Sequence, residues 1–144
     1  MKMTFQNPEN EQIRDILVNA KTIAVVGLSD SPARTSYGVS RAMQQAGYKI
    51  IPVNPNVTEV LGEKAYPSLA DVPDEIDIIN VFRRSEFLLE LAREASKTNA
   101  RIFWTQQGVY DEGAASYLEQ EGFTVLMDLC IKVAHSVLVG PTRN

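Results

Sequence analysis

The chain has 144 residues, with 14 Lys+Arg against 18 Asp+Glu, and therefore a formal net charge of −4. This length is enough for one globular domain whose core needs no disulfide or structural metal. With one cysteine and one histidine, the sequence excludes a disulfide framework and a multi-ligand Cys/His zinc site. Mild acidity gives no reason to expect nucleic-acid binding. Because no apolar run approaches the ~18 residues of a membrane span and residues 1–10 are polar, we expect no membrane association, no signal peptide and a cytoplasmic location.

The first half of the chain alternates between helical and strand periodicity, which is typical of an α/β domain. A short amphipathic helix is predicted over residues 11–19, followed by a strand over 22–28 whose continuous β-branched run indicates burial on both faces. A second helix is predicted over 37–46, where Gly47 ends it, and a second strand over 48–53. Strand, helix and strand in about thirty residues form one βαβ unit.

The second half begins with a polar connection that contains Gly62, Pro67 and Pro73. A third strand is predicted over 76–82, and Ser85 stands at the N-cap position of a helix that runs to about residue 97. The remaining predicted elements are a strand at 101–105, a helix at 112–120 ended by Gly122, a strand at 123–127, and an apolar segment at 131–139. That last segment fits a short helix or a strand, and we favour the helix.

The predicted architecture is a single domain over residues 1–144, built as a three-layer, doubly wound parallel sheet of about five strands. In such a sheet, ligands bind outside the carboxyl ends of the strands, where the strand order reverses. The candidate binding segments therefore follow the five predicted strands: residues 27–38, Asn54 and Pro55, Arg83 and Arg84, 106–109, and 128–130.

The loop after the first strand has the composition of a phosphate-binding segment. Gly27 allows close approach of the backbone, Ser29, Thr35 and Ser36 offer hydroxyl groups, and Arg34 supplies a cation at a helix N-terminus. The alternative is purely structural: Gly27 relieves a tight turn and Ser36 caps the helix. That alternative leaves Arg34 unexplained.

Two common nucleotide signatures are missing from this loop. It lacks the three closely spaced glycines of the dinucleotide fingerprint, and Asn54 stands where NAD-binding proteins place an acidic residue. The Lys and Ser/Thr of the Walker motif are also absent. These omissions disfavour NAD binding and ATP hydrolysis.

Four segments of the sequence, VVGLSDSPARTSYGVSRAMQQAGYKIIPVNP, INVFRR, IFWTQQGV and DLCIKVAHS, resemble the small stand-alone bacterial and archaeal CoA-binding proteins. Their Rossmann-like domain is similar to the nucleotide-binding domain of the succinyl-CoA synthetase α subunit. The resemblance extends from Lys21 to about Ser136. It implies that coenzyme A lies across the carboxyl edge of the sheet.

The resemblance also assigns residues to parts of the ligand site. The phosphate loop and helix start correspond to Gly27, Ser29, Arg34, Ser36, Tyr37 and Gly38. The adenine-ribose turn corresponds to Asn54 and Pro55, the segment against the nucleotide to Val81, Phe82 and Arg83, and the turn near the pantetheine arm to Gln106, Gln107 and Gly108. The phosphorylated histidine of the synthetase lies in a second domain that these 144 residues do not include, so ligase activity is not expected.

Several of these residues also have a structural interpretation. Arg83 and Arg84 fit a solvated strand end. Trp104 could stack on adenine but is more typical of a core residue. Asp111 and Glu112 are typical of a helix start.

Cys130 and His135, five residues apart, are the one pair that could support nucleophilic chemistry, with Asp128 to orient the imidazole. A lone cysteine in an apolar segment is more often a small buried residue. The apolar segment that ends at Val139 could close the core or a homodimer interface.

Three functions remain after these arguments. The first is a stand-alone module that binds CoA or an acyl-CoA as carrier, sensor or regulator, alone or with a protein partner. The second is a thiol-dependent enzyme that acts on a CoA thioester or disulfide through Cys130 and His135. The third is an NAD-binding redox domain.

Overall fold

The computed structural model describes residues 5–140. Its helices and strands alternate along the chain, as the periodicity predicts. In chain order they are α1 (Asn10–Asn19), β1 (Thr22–Val26), α2 (Thr35–Gln45), β2 (Lys49–Val53), β3 (Glu59–Val60), β4 (Glu63–Lys64), β5 (Ile78–Val81), α3 (Leu88–Ala95), β6 (Ile102–Thr105), α4 (Glu112–Gln120), β7 (Thr124–Leu126) and α5 (Ile131–Leu138).

Five of the strands form one parallel sheet in the order β2-β1-β5-β6-β7. The register places Val26 at the end of β1 opposite Val53 of β2 and Val81 of β5. From β1 the chain crosses to β2 on one side, whereas from β5 it crosses to β6 on the other. The strand order therefore reverses between β1 and β5, and a crevice is expected at their carboxyl ends.

Two hydrophobic clusters cover the two faces of the sheet. Ala24 and Val26 belong to the cluster that includes residues of α3 and α4, whereas Ile23 and Val25 belong to the cluster that includes residues of α1, α2 and α5. Successive side chains of a strand point to opposite faces, so β1 contributes to both clusters. The three-layer, doubly wound Rossmann-like fold predicted from the sequence is confirmed.

The connection between β2 and β5 contains a hairpin that the sequence analysis missed. Strands β3 and β4 pair antiparallel, with Glu59 opposite Lys64, and Leu61 and Gly62 form the turn with φ values of 57° and 78°. Two-residue turns with positive φ at both positions match the twist of a hairpin, but their usual signature is Asn-Gly or Asp-Gly. Leu-Gly does not carry that signature.

The helix predicted from Ser85 is wrong at its start. Residues Ser85–Phe87 form a 3₁₀ turn, and α3 begins only at Leu88. The Ser85 hydroxyl does not cap a helix. It accepts a hydrogen bond of 2.8 Å from the backbone N–H of Tyr110 and so ties this turn to the loop after β6.

Other boundaries differ by a few residues. β1 ends at Val26 and β5 at Val81, so Leu28 and Phe82 lie beyond the strands. The segment after β7 is a helix, as favoured from the sequence. Within residues 5–140, no helix is both long and apolar enough to cross a membrane.

Candidate functional site

Two grooves lie over the carboxyl ends of the strands. The first groove has a volume of about 580 Å³ and extends from the ends of β1, β2 and β5 to α3. The second groove, of about 360 Å³, extends from the ends of β1, β5 and β6 to the start of α2. Four residues line both grooves: Gly27, Phe82, Arg83 and Arg84. We call these four the junction; it lies at the strand-order reversal.

The loop between β1 and α2 is braced by its own serines. The N–H of Ser29 donates to the hydroxyl of Ser36 at 3.0 Å, and the N–H of Ser31 donates to the hydroxyl of Ser29 at 3.0 Å. Arg34 N–H then donates to the Ser31 carbonyl at 3.0 Å. Ser29 and Ser36 therefore fix the loop conformation. Ser36 lines the second groove, and its hydroxyl keeps a proton that it can donate to a ligand, whereas Ser29 lines neither groove.

The N-terminus of α2 opens into the second groove. Arg34 is the N-cap residue and its side chain does not cap the helix, while Arg34, Thr35 and Ser36 all line the groove. The first N–H groups of a helix have no intrahelical acceptor and favour an anion. The interpretation of Ser36 as a helix cap is wrong, because Ser36 lies inside the helix and its hydroxyl accepts from the loop.

Gly27 has a structural role in addition to its place at the junction. Its φ is +87°, and a Cβ at this position would lie 2.9 Å from the carbonyl oxygen of Phe82. Its N–H donates to the carbonyl of Val53 at 2.8 Å and is thus already engaged within the sheet. The tight-turn interpretation of Gly27 therefore holds, and any contribution to a ligand comes from the space its missing side chain leaves.

Asn54 joins the end of β2 to the loop after β1. Its side-chain amide donates to the Leu28 carbonyl at 3.0 Å, and its Oδ1 accepts from the Asn56 N–H at 2.9 Å. Asn54 and Pro55, which the resemblance assigns to the adenine-ribose turn, line the first groove. The acidic residue that NAD-binding proteins carry here could accept from the Asn56 N–H but has no N–H group to donate to the Leu28 carbonyl.

The two arginines of the junction share one aromatic ring. The guanidinium carbon of Arg83 lies 4.6 Å from the centroid of the Phe87 ring, and that of Arg84 lies 5.5 Å from it. Both distances are within the range of cation–π attraction. Phe87 also lines the first groove. Phe87 was not among the residues predicted from the sequence, although its spacing of three and four residues from the two arginines could have indicated it.

The turn after β6 forms the far wall of the second groove. Gln106, Gln107 and Gly108, which the resemblance assigns to the turn near the pantetheine arm, all line it. The Gly108 N–H donates to the Asp128 carboxylate at 2.6 Å. The Oε1 atom of Gln106 is buried and finds no hydrogen-bond partner among the described residues, so it is a candidate acceptor for a ligand N–H group.

Some predicted site residues lie outside the grooves. Val81 is fully buried in the core, and Tyr37 packs against the second hydrophobic cluster. Gly38 lies on the exposed side of α2, and a Cβ there would meet nothing within 4 Å. Trp104 is fully buried, and its indole N–H donates to the Leu129 carbonyl at 2.9 Å. The interpretation that its indole stacks on adenine is therefore wrong. Asp111 caps α4 as predicted.

The cysteine and the histidine are also placed away from the described grooves. Cys130 is half-buried, packs against the second hydrophobic cluster and stands at the N-cap of α5. His135 is buried and meets the Tyr48 ring edge-on at 5.7 Å between centroids. The carboxylate of Asp128 holds the Gly108 N–H. Within residues 5–140, no group of three or more His, Cys, Asp or Glu is arranged to hold a metal ion.

The first groove contains acidic residues that the sequence analysis did not anticipate. Glu90 and Glu94, one turn apart on α3, line this groove but not the second. Nothing in their local sequence distinguishes them from the solvated face of a helix. They were missed because only the fold brings α3 beside the end of β2.

Comparison with known proteins places these features in a family. A family model described as CoA binding domain matches residues 21–136. The uncharacterized protein YneT of Bacillus subtilis (strain 168) is 58% identical over 133 residues, which cover 92% of this chain and 98% of that protein.

Two further relatives show how the domain occurs elsewhere. A hypothetical protein from Pyrococcus horikoshii OT3 superposes with a TM-score of 0.90 at 34% identity, covering 97% of this chain and all of that one. The acetate–CoA ligase [ADP-forming] II of Archaeoglobus fulgidus is 32% identical over 87 residues, which are 59% of this chain but only 13% of the ligase. The same domain thus resembles both stand-alone chains and one portion of a much longer ligase.

Proposed function

The chain belongs to the CoA-binding domain family, and on that premise we propose that it binds coenzyme A or an acyl-CoA across the carboxyl edge of the sheet. The observation that carries the proposal is the pair of grooves that meet at the junction, with the N-terminus of α2 opening into one of them. CoA is a long ligand with a nucleotide at one end. Two joined grooves over the strand ends suit such a shape.

The pyrophosphate of CoA is proposed to lie in the second groove at the start of α2. Three features favour an anion there: the free N–H groups of the first helical turn, the helix dipole and the exposed guanidinium of Arg34. Arg34 can approach a phosphate with two parallel N–H donors. The protein can therefore bind a polyanion despite its net charge of −4.

The adenosine is proposed to lie in the first groove and the pantetheine arm along the turn after β6. The first groove offers an apolar floor from Val26, Val53 and Leu69 beside Asn54 and Pro55. At the other end, the unpartnered Oε1 of Gln106 can accept a hydrogen bond from an amide N–H of the pantetheine arm.

We further propose that the protein acts as a binding, carrier or regulatory module rather than as a ligase. The chain has one histidine, and this His135 is buried beside Tyr48. A side chain in that position is not available to carry a phosphoryl group between solvent-borne substrates. The proposal therefore carries over from the ligases the binding of CoA and not the phosphoryl transfer.

The test is calorimetric titration with CoA at fixed salt, with acetyl-CoA, NAD and ATP as comparison ligands. We expect binding of CoA that NAD and ATP do not match. Arg34→Ala is expected to weaken CoA binding by about 1.5–3 kcal/mol, because it removes a charge-assisted contact to phosphate.

Arg41→Ala is the matched control for that variant. Arg41 is an exposed arginine of the same helix and lines neither groove, so its loss changes the net charge equally. Equal affinity for CoA in the wild type and in Arg34→Ala would refute the role of Arg34. Saturation with NAD and no heat with CoA would refute the proposed ligand.

A further inference from the structure

The charge along the two grooves is uneven. Glu90 and Glu94 line only the first groove, whereas Arg34 lines only the second. The carboxylates at the α3 end would therefore repel a phosphate group of a bound nucleotide, whereas Arg34 at the α2 end would attract it. This polarity fixes the direction of the ligand proposed above, with the base toward α3 and the pyrophosphate toward α2.

The direction of the ligand determines what lies at the junction. In CoA the ribose connects the adenine to the pyrophosphate and carries a third phosphate on its 3′ oxygen. If the base lies in the first groove and the pyrophosphate lies in the second groove, the ribose lies between them. Of the four junction residues, Arg83 and Arg84 carry charge. We propose that Arg83 and Arg84, held on the ring of Phe87, recognise the ribose 3′-phosphate and thereby select CoA over dephospho-CoA.

The two guanidinium groups are available for such a contact. Both arginines are exposed. Residues 5–140 form one ion pair within 4 Å, and it joins Lys49 to Asp74. Within residues 5–140, neither guanidinium therefore forms an ion pair with a carboxylate. Two adjacent, unpaired arginines offer the planar donors that suit the three oxygens of a terminal phosphate.

Phe87 is the positioning residue of this pair. Both guanidinium groups lie near its ring, with their carbon atoms 4.6 Å and 5.5 Å from the centroid. The Arg83 stem passes over Gly27, where its Cδ lies 3.4 Å from the place of a Cβ. An arginine that is already restrained loses less side-chain entropy when it binds phosphate.

The inference rests on the proposed function, and its test compares two ligands that differ only in the 3′-phosphate. The dissociation constants of CoA and dephospho-CoA are measured by calorimetry for the wild type, Arg83→Gln, Arg84→Gln and Arg93→Gln. We expect the wild type to prefer CoA on the order of tenfold or more. Arg83→Gln and Arg84→Gln should each lose most of this preference, because the affinity for CoA falls by more than the affinity for dephospho-CoA.

Arg93→Gln is the control for net charge. Arg93 lies in the last turn of α3, is exposed and lines neither groove. Its substitution should leave the preference unchanged. A loss of preference equal to that of the junction variants would show a long-range charge effect and overturn the assignment.

Phe87→Leu tests the positioning role, and Phe87→Tyr is the conservative variant. Leucine removes the cation–π partner but keeps an apolar side chain, so the preference for CoA should fall while tyrosine restores it. A general loss of affinity for both ligands, with the ratio intact, would assign Phe87 to packing and not to the arginines.

The outcomes separate this inference from the proposed function. If the wild type binds CoA and dephospho-CoA equally, the 3′-phosphate role is wrong while CoA binding stands. If it binds neither, the proposed function fails and the inference fails with it.

Discussion

Gly27 and the carbonyl of Phe82 approach each other so closely that a Cβ on Gly27 would lie 2.9 Å from the Phe82 oxygen. This contact joins the end of β1 to the residue after β5 at the point where the strand order reverses. The Arg83 side chain passes beside the same point, with its Cδ 3.4 Å from the place of that Cβ. The geometry of the junction therefore depends on the absence of a side chain at position 27.

Gly27→Ala is expected to destabilise the fold by more than the strain of its positive φ alone. That strain costs about 1–2 kcal/mol for a residue with a side chain, and the clash with the backbone of Phe82 adds to it. Gly122→Ala is the matched control, because Gly122 has a φ of +92° and open space around a Cβ. The free energies of unfolding in urea check this prediction, and equal losses in the two variants would contradict it.

Gly38→Ala is expected to separate stability from binding. Gly38 lies in the first turns of α2, where a Cβ would meet nothing within 4 Å, so the fold does not require glycine there. Alanine in a helix is favoured over glycine by about 0.5–1 kcal/mol. Gly38 itself lines neither groove, but it follows Thr35 and Ser36, which line the second groove. If CoA extends beyond that groove over the first turn of α2, the added methyl group should weaken CoA binding several-fold while the melting temperature rises.

Gly113→Ala provides the comparison for that variant. Gly113 is also a helical glycine, but it lies in α4, whose residues line neither groove, whereas the first residues of α2 line the second. Its substitution should leave the dissociation constant of CoA unchanged. Unaltered CoA affinity in Gly38→Ala would show that the ligand does not approach this turn.

Local patterns predicted most of the fold, and long-range contacts account for what they missed. The buried run at the start of β1 and the helix that Gly47 ends are local signals, and both predictions are confirmed in kind. Ser85 and Tyr110 are 25 residues apart in the sequence. Because of their hydrogen bond, Ser85 connects two loops and does not cap a helix as predicted. Glu90 and Glu94 reach the first groove only because the sheet places α3 there, so no spacing in the sequence could assign them.

Asn7 makes another contact that local sequence patterns could not predict, because its partner Met127 is 120 residues away in the sequence. Its Nδ2 donates to the Met127 carbonyl at 2.9 Å, and its Oδ1 accepts from the Met127 N–H at 2.8 Å. The amide side chain thus satisfies main-chain groups next to the edge strand β7, as a neighbouring strand would. Asn7→Ala should cost about 1–2 kcal/mol of unfolding free energy.

Gln6→Ala is the control for this contact. Gln6 is the exposed neighbour of Asn7, and its side chain forms no hydrogen bond with residues 5–140. Urea denaturation of both variants measures the difference. The same stability in Asn7→Ala and Gln6→Ala would mean that water replaces the lost contacts without cost.

The pKa of the Tyr110 hydroxyl is expected to lie above its ordinary value. Its hydroxyl donates to the Glu112 carboxylate at 2.8 Å, and this hydrogen bond raises the pKa of Tyr110 above 10.0. Because the pKa is raised in the folded state, the contact stabilises the fold below pH 10 and is lost as the pH rises through the raised pKa. Phenolate absorbance of the wild type minus that of Tyr110→Phe isolates this residue, and Glu112→Gln should lower the midpoint.

Cys130 distinguishes a binding module from a thiol-dependent enzyme. It is half-buried against the second hydrophobic cluster and lines neither groove, so Cys130→Ala should leave CoA affinity unchanged to within about twofold. Iodoacetamide should label the folded protein much more slowly than the protein in urea, because packing limits access to the thiol. Fast labelling that CoA prevents would place the thiol beside the ligand and would favour chemistry at Cys130 over binding alone.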